Sequence, residues 1–194
     1  MNYLAHLFLS CEVDQHIVGN FIADSIQHRD VANLNATILS GIDLHKSIDT
    51  FTDTHPIVSQ STKRLHAFHG KYSPIIIDIW FDHLLARHWD KYTDEHLRDF
   101  ADRMYLILQN HIEIMPAKMQ RDIPLMTADD WLLKYKTIEG MVNTFARFRH
   151  RLSRPDLLAN VIENLQSLDK ELESDFLIFF PELMKHIHEK HHHH

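Results

Sequence analysis

The sequence is poor in residues that staple or punctuate a fold. It has one cysteine, Cys11, in 194 residues, so no internal disulfide is expected and zinc-type cysteine pairs are excluded. Only four glycines occur, and strand-like alternation of β-branched residues is scarce, which argues against turn-rich β architectures. No run of about 18 apolar residues is present, and the opening MNYLAHLFLSCEVDQH lacks a basic segment ahead of its short apolar run. Neither a membrane span nor an export signal is expected. Positive charge is also short: the formal net charge is −7, which argues against general binding to a phosphate backbone. The expectation is a cytoplasmic protein with no nucleic-acid and no membrane partner.

What is present is enough apolar sequence for a sizeable core, 44% hydrophobic against 24% charged. Apolar residues recur at three- and four-residue spacing almost throughout, so the fold class is all-α, a single multi-helix domain over 1–190. The terminal HHHH at 191–194 reads as a purification-tag remnant. Asn2 caps a first helix; a second runs from about Ile17 to His28 and a third from about Asn35 to Thr54. Ser73-Pro74 opens a helix through Trp89, Thr93 caps the next, and Thr127 with Asp130 resembles a capping box before WLLKYK. A further helix covers about Thr137 to Arg151. The stripe from Leu157 to Leu172 is amphipathic and reads as packing. No feature predicts an oligomer.

Several polar residues lie where leucines belong. In GIDLHKSIDTFTD, Asp49 sits about 40° round the helix from His45, and Ile38, Ile42 and Ile48 flank them within about 60°. Asp43, Lys46, Ser47 and Thr50 take the opposite, wet face. Gly41, in line with His45, leaves room for something to approach. In SPIIIDIWFDHLLARHW, Asp78 and Asp82 share one face of a helix that is otherwise apolar nearly all round, the expected buried central helix. Asn20, Asp24 and His28 form a third stripe, and Asn2 with His6 a fourth pair. Buried carboxylates are expensive unless a cation or a set of donors compensates. Taken singly, each Asp is equally a buried ion pair or a cap, and His6 reads as a hydrogen-bonded core histidine. Converging from four helices, they describe a metal site, with His and carboxylate donors suited to Mn, Fe, Mg or Zn.

Read together, MNYLAHL, GNFIAD, GIDLHKSIDTFTD, IDIWFDHLLARHW and WLLKY resemble the acyl carrier protein phosphodiesterase family over essentially the whole untagged chain. That family is similar to the all-α, metal-dependent HD phosphohydrolases in a non-standard version, since the pair here reads Asp82-His83. The resemblance implies hydrolysis of the phosphodiester between 4'-phosphopantetheine and a serine of holo acyl carrier protein, with a divalent cation, most simply Mn2+, and with Mg2+, Fe2+ or Zn2+ as alternatives. Asp24, His45, Asp49, Asp78 and Asp82 are the expected metal residues, with Asp24 or Asp82 as base toward water. His83 is the expected proton donor or supporting residue. The basic run RFRHRLSR offers Arg147, Arg149, Arg151 and Arg154 to an acidic carrier protein, though an arginine-rich helix end also complements the helix dipole.

Other functions fit parts of the pattern. A general phosphohydrolase of nucleotides or small phosphodiesters would use the same donors. A carboxylate-bridged di-iron protein expects Glu-x-x-His pairs, and the one present, Glu189 with His192, uses the tag. A metal-free interaction module would pair the inward charges among themselves.

Overall fold

Side-chain caps begin three of the helices in the computed structural model, which describes residues 1–27, 31 and 34–191, His191 by its backbone alone. His28 and 192–194 lie outside the described residues. In chain order the helices are α1 (Tyr3–Phe8), α2 (Asp14–Ile22), α3 (Ala36–Thr54), α4 (Pro56–His69), α5 (Ser73–Arg87), α6 (Leu97–Asn110), α7 (Ala117–Ala128), α8 (Trp131–Lys134), α9 (Ile138–Arg149), α10 (Val161–Ser167) and α11 (Asp169–His191). The described residues contain no strand, so the fold is all-α. Asn2, Asn35 and Thr137 each place a side-chain oxygen on an N–H of a first turn, at 2.8, 3.0 and 3.1 Å. These are donors that a helix leaves without an internal acceptor.

Two expected starts are built differently. Ser73 does not cap α5; the chain enters through a 3-10 turn, Gly70–Tyr72, and Ser73 Oγ donates back to the Gly70 carbonyl at 2.9 Å. Thr127 lies inside α7, donating to the Ile123 carbonyl, while Asp130 starts α8 from the left-handed region at φ 49°. The α-helical part of α2 also begins earlier than its apolar pattern suggested, at Asp14, and gives way to a 3-10 turn at Ala23–Ser25.

The core gathers on α5, whose Ile76, Ile77, Trp80, Phe81, Leu84 and Leu85 are wholly shielded. Phe176, Phe179 and Phe180 of α11 close over it, with Phe81 and Phe176 edge to face at 5.5 Å. Ser47 of α3, expected on the wet face, is buried against α11 and accepts from Lys190 Nζ at 3.1 Å. No described helix is long and apolar enough to cross a membrane.

Helices α2 and α3 come close because both present glycine at the crossing. A Cβ on Gly19 would meet the Ile38 carbonyl oxygen at 2.1 Å, and one on Gly41 the His16 carbonyl oxygen at 2.1 Å. Backbone therefore lies on backbone, and Asn20 is pressed against His45 one helical turn beyond Gly41.

Candidate metal centre and adjoining cavity

Asn20 organises two histidines. Its Nδ2 donates to the His6 carbonyl at 2.7 Å and to Ser10 Oγ at 2.8 Å, so its Oδ1 is left as an acceptor. His6 Nδ1 lies 3.0 Å and His45 Nδ1 3.2 Å from that oxygen, and His45 Nδ1 also reaches the Asn20 backbone carbonyl at 2.8 Å. Both rings therefore carry their proton on Nδ1, a tautomer assigned from the hydrogen-bond network. They stack at 4.0 Å between centroids. Their Nε2 atoms then point the same way.

What those Nε2 atoms face is carboxylate. His6 Nε2 is 3.2 Å from Asp49 Oδ1; His45 Nε2 is 3.1 Å from Asp49 Oδ2 and 3.2 Å from Asp24 Oδ1. One donor atom from each of His6, His45 and Asp49 lies within 4.8 Å of the others. A neutral imidazole with Nδ1–H presents only a lone pair at Nε2, and a lone pair against a carboxylate is repulsive. A proton or a metal cation must sit between them.

The electrostatics are consistent with this geometry. Burial alone would lower the His45 pKa, but hydrogen bonds to Asp24 and Asp49 outweigh it and push the value up to about 9. At His6 burial dominates and holds the ring below its ordinary value, so the ring is neutral near pH 7. Asp49 is raised by burial yet more strongly lowered by hydrogen bonds to His45 and His6, and Asp24 is lowered chiefly by its hydrogen bond to His45. Without metal, the proton thus resides on His45, between Asp24 and Asp49. Two imidazole nitrogens and the Asp49 carboxylate, braced from behind by one amide and with Asp24 beside His45, suit a borderline divalent cation.

Asp78 and Asp82 are directed elsewhere. Asp78 Oδ1 accepts from the Met1 α-ammonium at 2.9 Å. Asp82, with no exposed surface, accepts the N–H groups of Asn2, Leu4 and Ala5 at 3.2, 2.7 and 3.3 Å. Both thus serve the first helix, whose unpaired N–H groups attract a carboxylate. Neither joins the His6, His45 and Asp49 group. His83, next in sequence, turns the other way: its Nδ1 donates to the Tyr135 carbonyl at 2.6 Å, and it does not line the cavity beside the metal centre. The Asp82-His83 pair is therefore split between two neighbouring segments.

That cavity, about 270 Å³, counts His6, His45, Asn20 and Asp24 among its lining residues. Tyr3, Phe21, Trp131, Tyr135 and Phe148 supply aromatic walls, and Lys118, Arg147 and Arg151 supply positive charge. Arg147 stacks on Trp131 at 4.4 Å and donates to Asp129 and to Thr144 Oγ1, each at 3.1 Å. Of the expected basic run, Arg147 and Arg151 line this cavity. Arg149 lines a separate groove against α10, and Arg154 is tied bidentately to Asp156. The Tyr135–Trp131 wall is not singled out from sequence, where it reads as ordinary packing, and His6, noted there as an inward partner of Asn2, reads as a hydrogen-bonded core histidine.

The family model described as acyl carrier protein phosphodiesterase matches residues 1–183. Proteins of that name from Yersinia pestis and Yersinia enterocolitica are 30% and 28% identical to the chain. The first alignment covers 95% of this chain and 96% of the relative, the second 98% and 99%. One from Escherichia coli O139:H28 is 28% identical over 95% of this chain and 96% of its own. No solved structure matches. With a match over nearly its full length, the chain belongs to the acyl carrier protein phosphodiesterase family.

Proposed function

We propose that this chain hydrolyses the phosphodiester joining 4'-phosphopantetheine to a serine of holo acyl carrier protein, with a divalent cation held by His6, His45, Asp49 and Asp24. The observation that supports a metal is the convergence of His6 and His45 Nε2 on the Asp49 carboxylate, with Asp24 beside His45, where a cation can take the place of the His45 proton. The substrate comes from the names of relatives that align over nearly the whole chain.

When bound, a divalent cation there lowers the pKa of a water and offsets charge on the phosphoryl oxygens. The chain's own residues do the rest. Asn20 holds both rings in one tautomer and one direction. Asp24 engages His45 through Oδ1 only, which leaves Oδ2 to orient the attacking water and accept its proton. The water oxygen bonds to phosphorus, the bond from phosphorus to the serine oxygen breaks, and the proton taken up by Asp24 is returned, directly or through solvent, to that leaving oxygen. The products are apo carrier protein and 4'-phosphopantetheine. Lys118, Arg147 and Arg151 give the mouth a positive field toward an acidic carrier. Mn2+ is the first ion to try, and the mixed donor set also admits Mg2+, Fe2+ and Zn2+.

The test is intact-mass spectrometry of holo acyl carrier protein incubated with the protein, with Mn2+ or with excess chelator. Loss of one phosphopantetheine group in the Mn2+ sample alone is the expected result. A carrier of unchanged mass beside folded, metal-loaded protein would overturn the proposal, and small phosphodiesters would be tried next.

A further inference from the structure

Tyr135 is buried, 2% exposed, and lines the cavity, yet its hydroxyl makes no hydrogen bond to any described residue. Its backbone is held firmly: the carbonyl accepts from His83 Nδ1 at 2.6 Å, immediately after α8. The hydroxyl is not enclosed by protein but opens into the cavity, so the group that meets it is whatever occupies that space, and a phenylalanine would line the wall without offering a donor. Burial keeps the phenol neutral, so it is available as a donor. Its neighbours narrow the choice of acceptor. The Arg147 guanidinium is already engaged by Asp129 and Thr144, Lys118 and Arg151 lean on Asp122, and rings make up much of the rest of the lining, including Tyr3 packed on Phe21 at 5.4 Å. An uncharged arm with isolated polar atoms suits such walls better than a second phosphate or a carboxylate does.

Resting on the function proposed above, we infer that this cavity seats the pantetheine arm of the substrate, and that Tyr135 donates its hydroxyl hydrogen to an amide carbonyl oxygen of that arm. The phosphate end points to His6 and His45, and the arm lies along Tyr135 and Trp131. His83 is then a positioning residue, acting on the arm through the Tyr135 backbone. Asp82 and His83, adjacent on α5, hold two segments that both line the cavity: α1 with Tyr3 and His6, and the chain after α8 with Tyr135.

The experiment is calorimetric titration of pantetheine, which lacks the phosphate, into the wild-type protein and Tyr135→Phe, each with and without Mn2+. Saturable binding to wild type, about 3- to 10-fold weaker in Tyr135→Phe and little changed by Mn2+, is the expected result. Tyr135→Phe should also melt no lower than wild type, because the hydroxyl it loses has no protein partner. With holo carrier protein as substrate, the variant should raise KM while leaving kcat within about 2-fold. Equal pantetheine binding by the two proteins, or no saturable binding to wild type, would overturn the assignment. Tyr135-dependent binding without cleavage of holo carrier would keep the arm site and reject the proposed reaction. Cleavage with no Tyr135 effect on binding or KM would do the reverse.

Discussion

Asp82 Oδ2 accepts the Leu4 N–H at 2.7 Å with both residues fully buried, and this contact ties the central helix α5 to the short helix carrying His6. A six-residue helix has little stability of its own and depends on such an anchor. Asp82→Ala removes the acceptor for three N–H groups, and a loss of about 2–4 kcal/mol is expected. Asp82→Asn keeps one acceptor oxygen and should be milder. In both, metal affinity should fall by about 10-fold or more through displacement of His6, while the stoichiometry at saturating metal stays that of wild type. Isothermal titration with Mn2+ checks this. A reduced stoichiometry would make Asp82 a direct ligand after all.

Stability of the metal-free protein should depend on pH through His45. Its folded pKa, about 9, lies above the ordinary histidine value near 6.5. The folded state therefore binds a proton that the unfolded state releases in this range. The contribution is complete below about pH 6.5 and is lost as pH rises through about 9. Metal must displace that same proton, so Mn2+ affinity should rise about tenfold per pH unit toward pH 9. Denaturant midpoints with and without Mn2+ across pH 6 to 9 test both statements. A flat profile for the metal-free protein would mean His45 is not the site of that proton.

How far the sequence alone reached depends on what periodicity encodes. Four-residue spacing reports that side chains share a face, so His45 with Asp49 was legible as an inward polar pair, and Asp24 on the neighbouring stripe was legible with them. Spacing does not report what that face meets. Asp78 and Asp82 point inward as expected, but they meet the start of α1 rather than the histidines. Only the three-dimensional packing shows that six-residue α1 lies against them. His6 shows the same limit: its four-residue spacing from Asn2 marks it as inward, but on so short a helix nothing in the pattern distinguishes a ligand from a hydrogen-bonded core histidine. Tyr135 reads as one more apolar residue of WLLKY, because an unpaired hydroxyl is visible only once its surroundings are known. The fold class was accessible because helical periodicity is repeated along the chain, whereas each cap rests on one or two residues, and Ser73 and Thr127 were misread.

The contact between α2 and α3 should be intolerant of even one methyl group. Gly41→Ala places a Cβ 2.1 Å from the His16 carbonyl oxygen and 3.0 Å from the Gly19 Cα, all backbone that cannot rotate away. The helices must separate, at about 1–3 kcal/mol. Separation also draws Asn20 off the His45 ring, which loosens both histidines. The expected signature is a lowered melting temperature together with Mn2+ affinity reduced by about 10-fold. Thermal denaturation with and without Mn2+ would show a smaller metal-induced stabilisation than in wild type; an unchanged increment would mean that the crossing does not set the histidine geometry.

Charge reversal should separate the basic residues that face the cavity from those that do not. Arg151 and Lys118 both line it, and both lean on Asp122, at 3.9 and 3.5 Å. Two cations on one carboxylate leave net positive charge at the mouth. Arg149 faces another groove and Arg154 is neutralised by Asp156, so their fields contribute little there. Arg147 is unsuitable for reversal because its stack on Trp131 and its bond to Asp129 are part of the wall. Lys118→Glu with Arg151→Glu should lower kcat/KM for holo carrier protein by about 10-fold at low salt, and the deficit should shrink as ionic strength rises. Arg149→Glu with Arg154→Glu should stay within about 2-fold of wild type. Initial rates from low to physiological ionic strength decide the matter. Equal losses in the two double variants would assign docking to overall charge rather than to the cavity mouth.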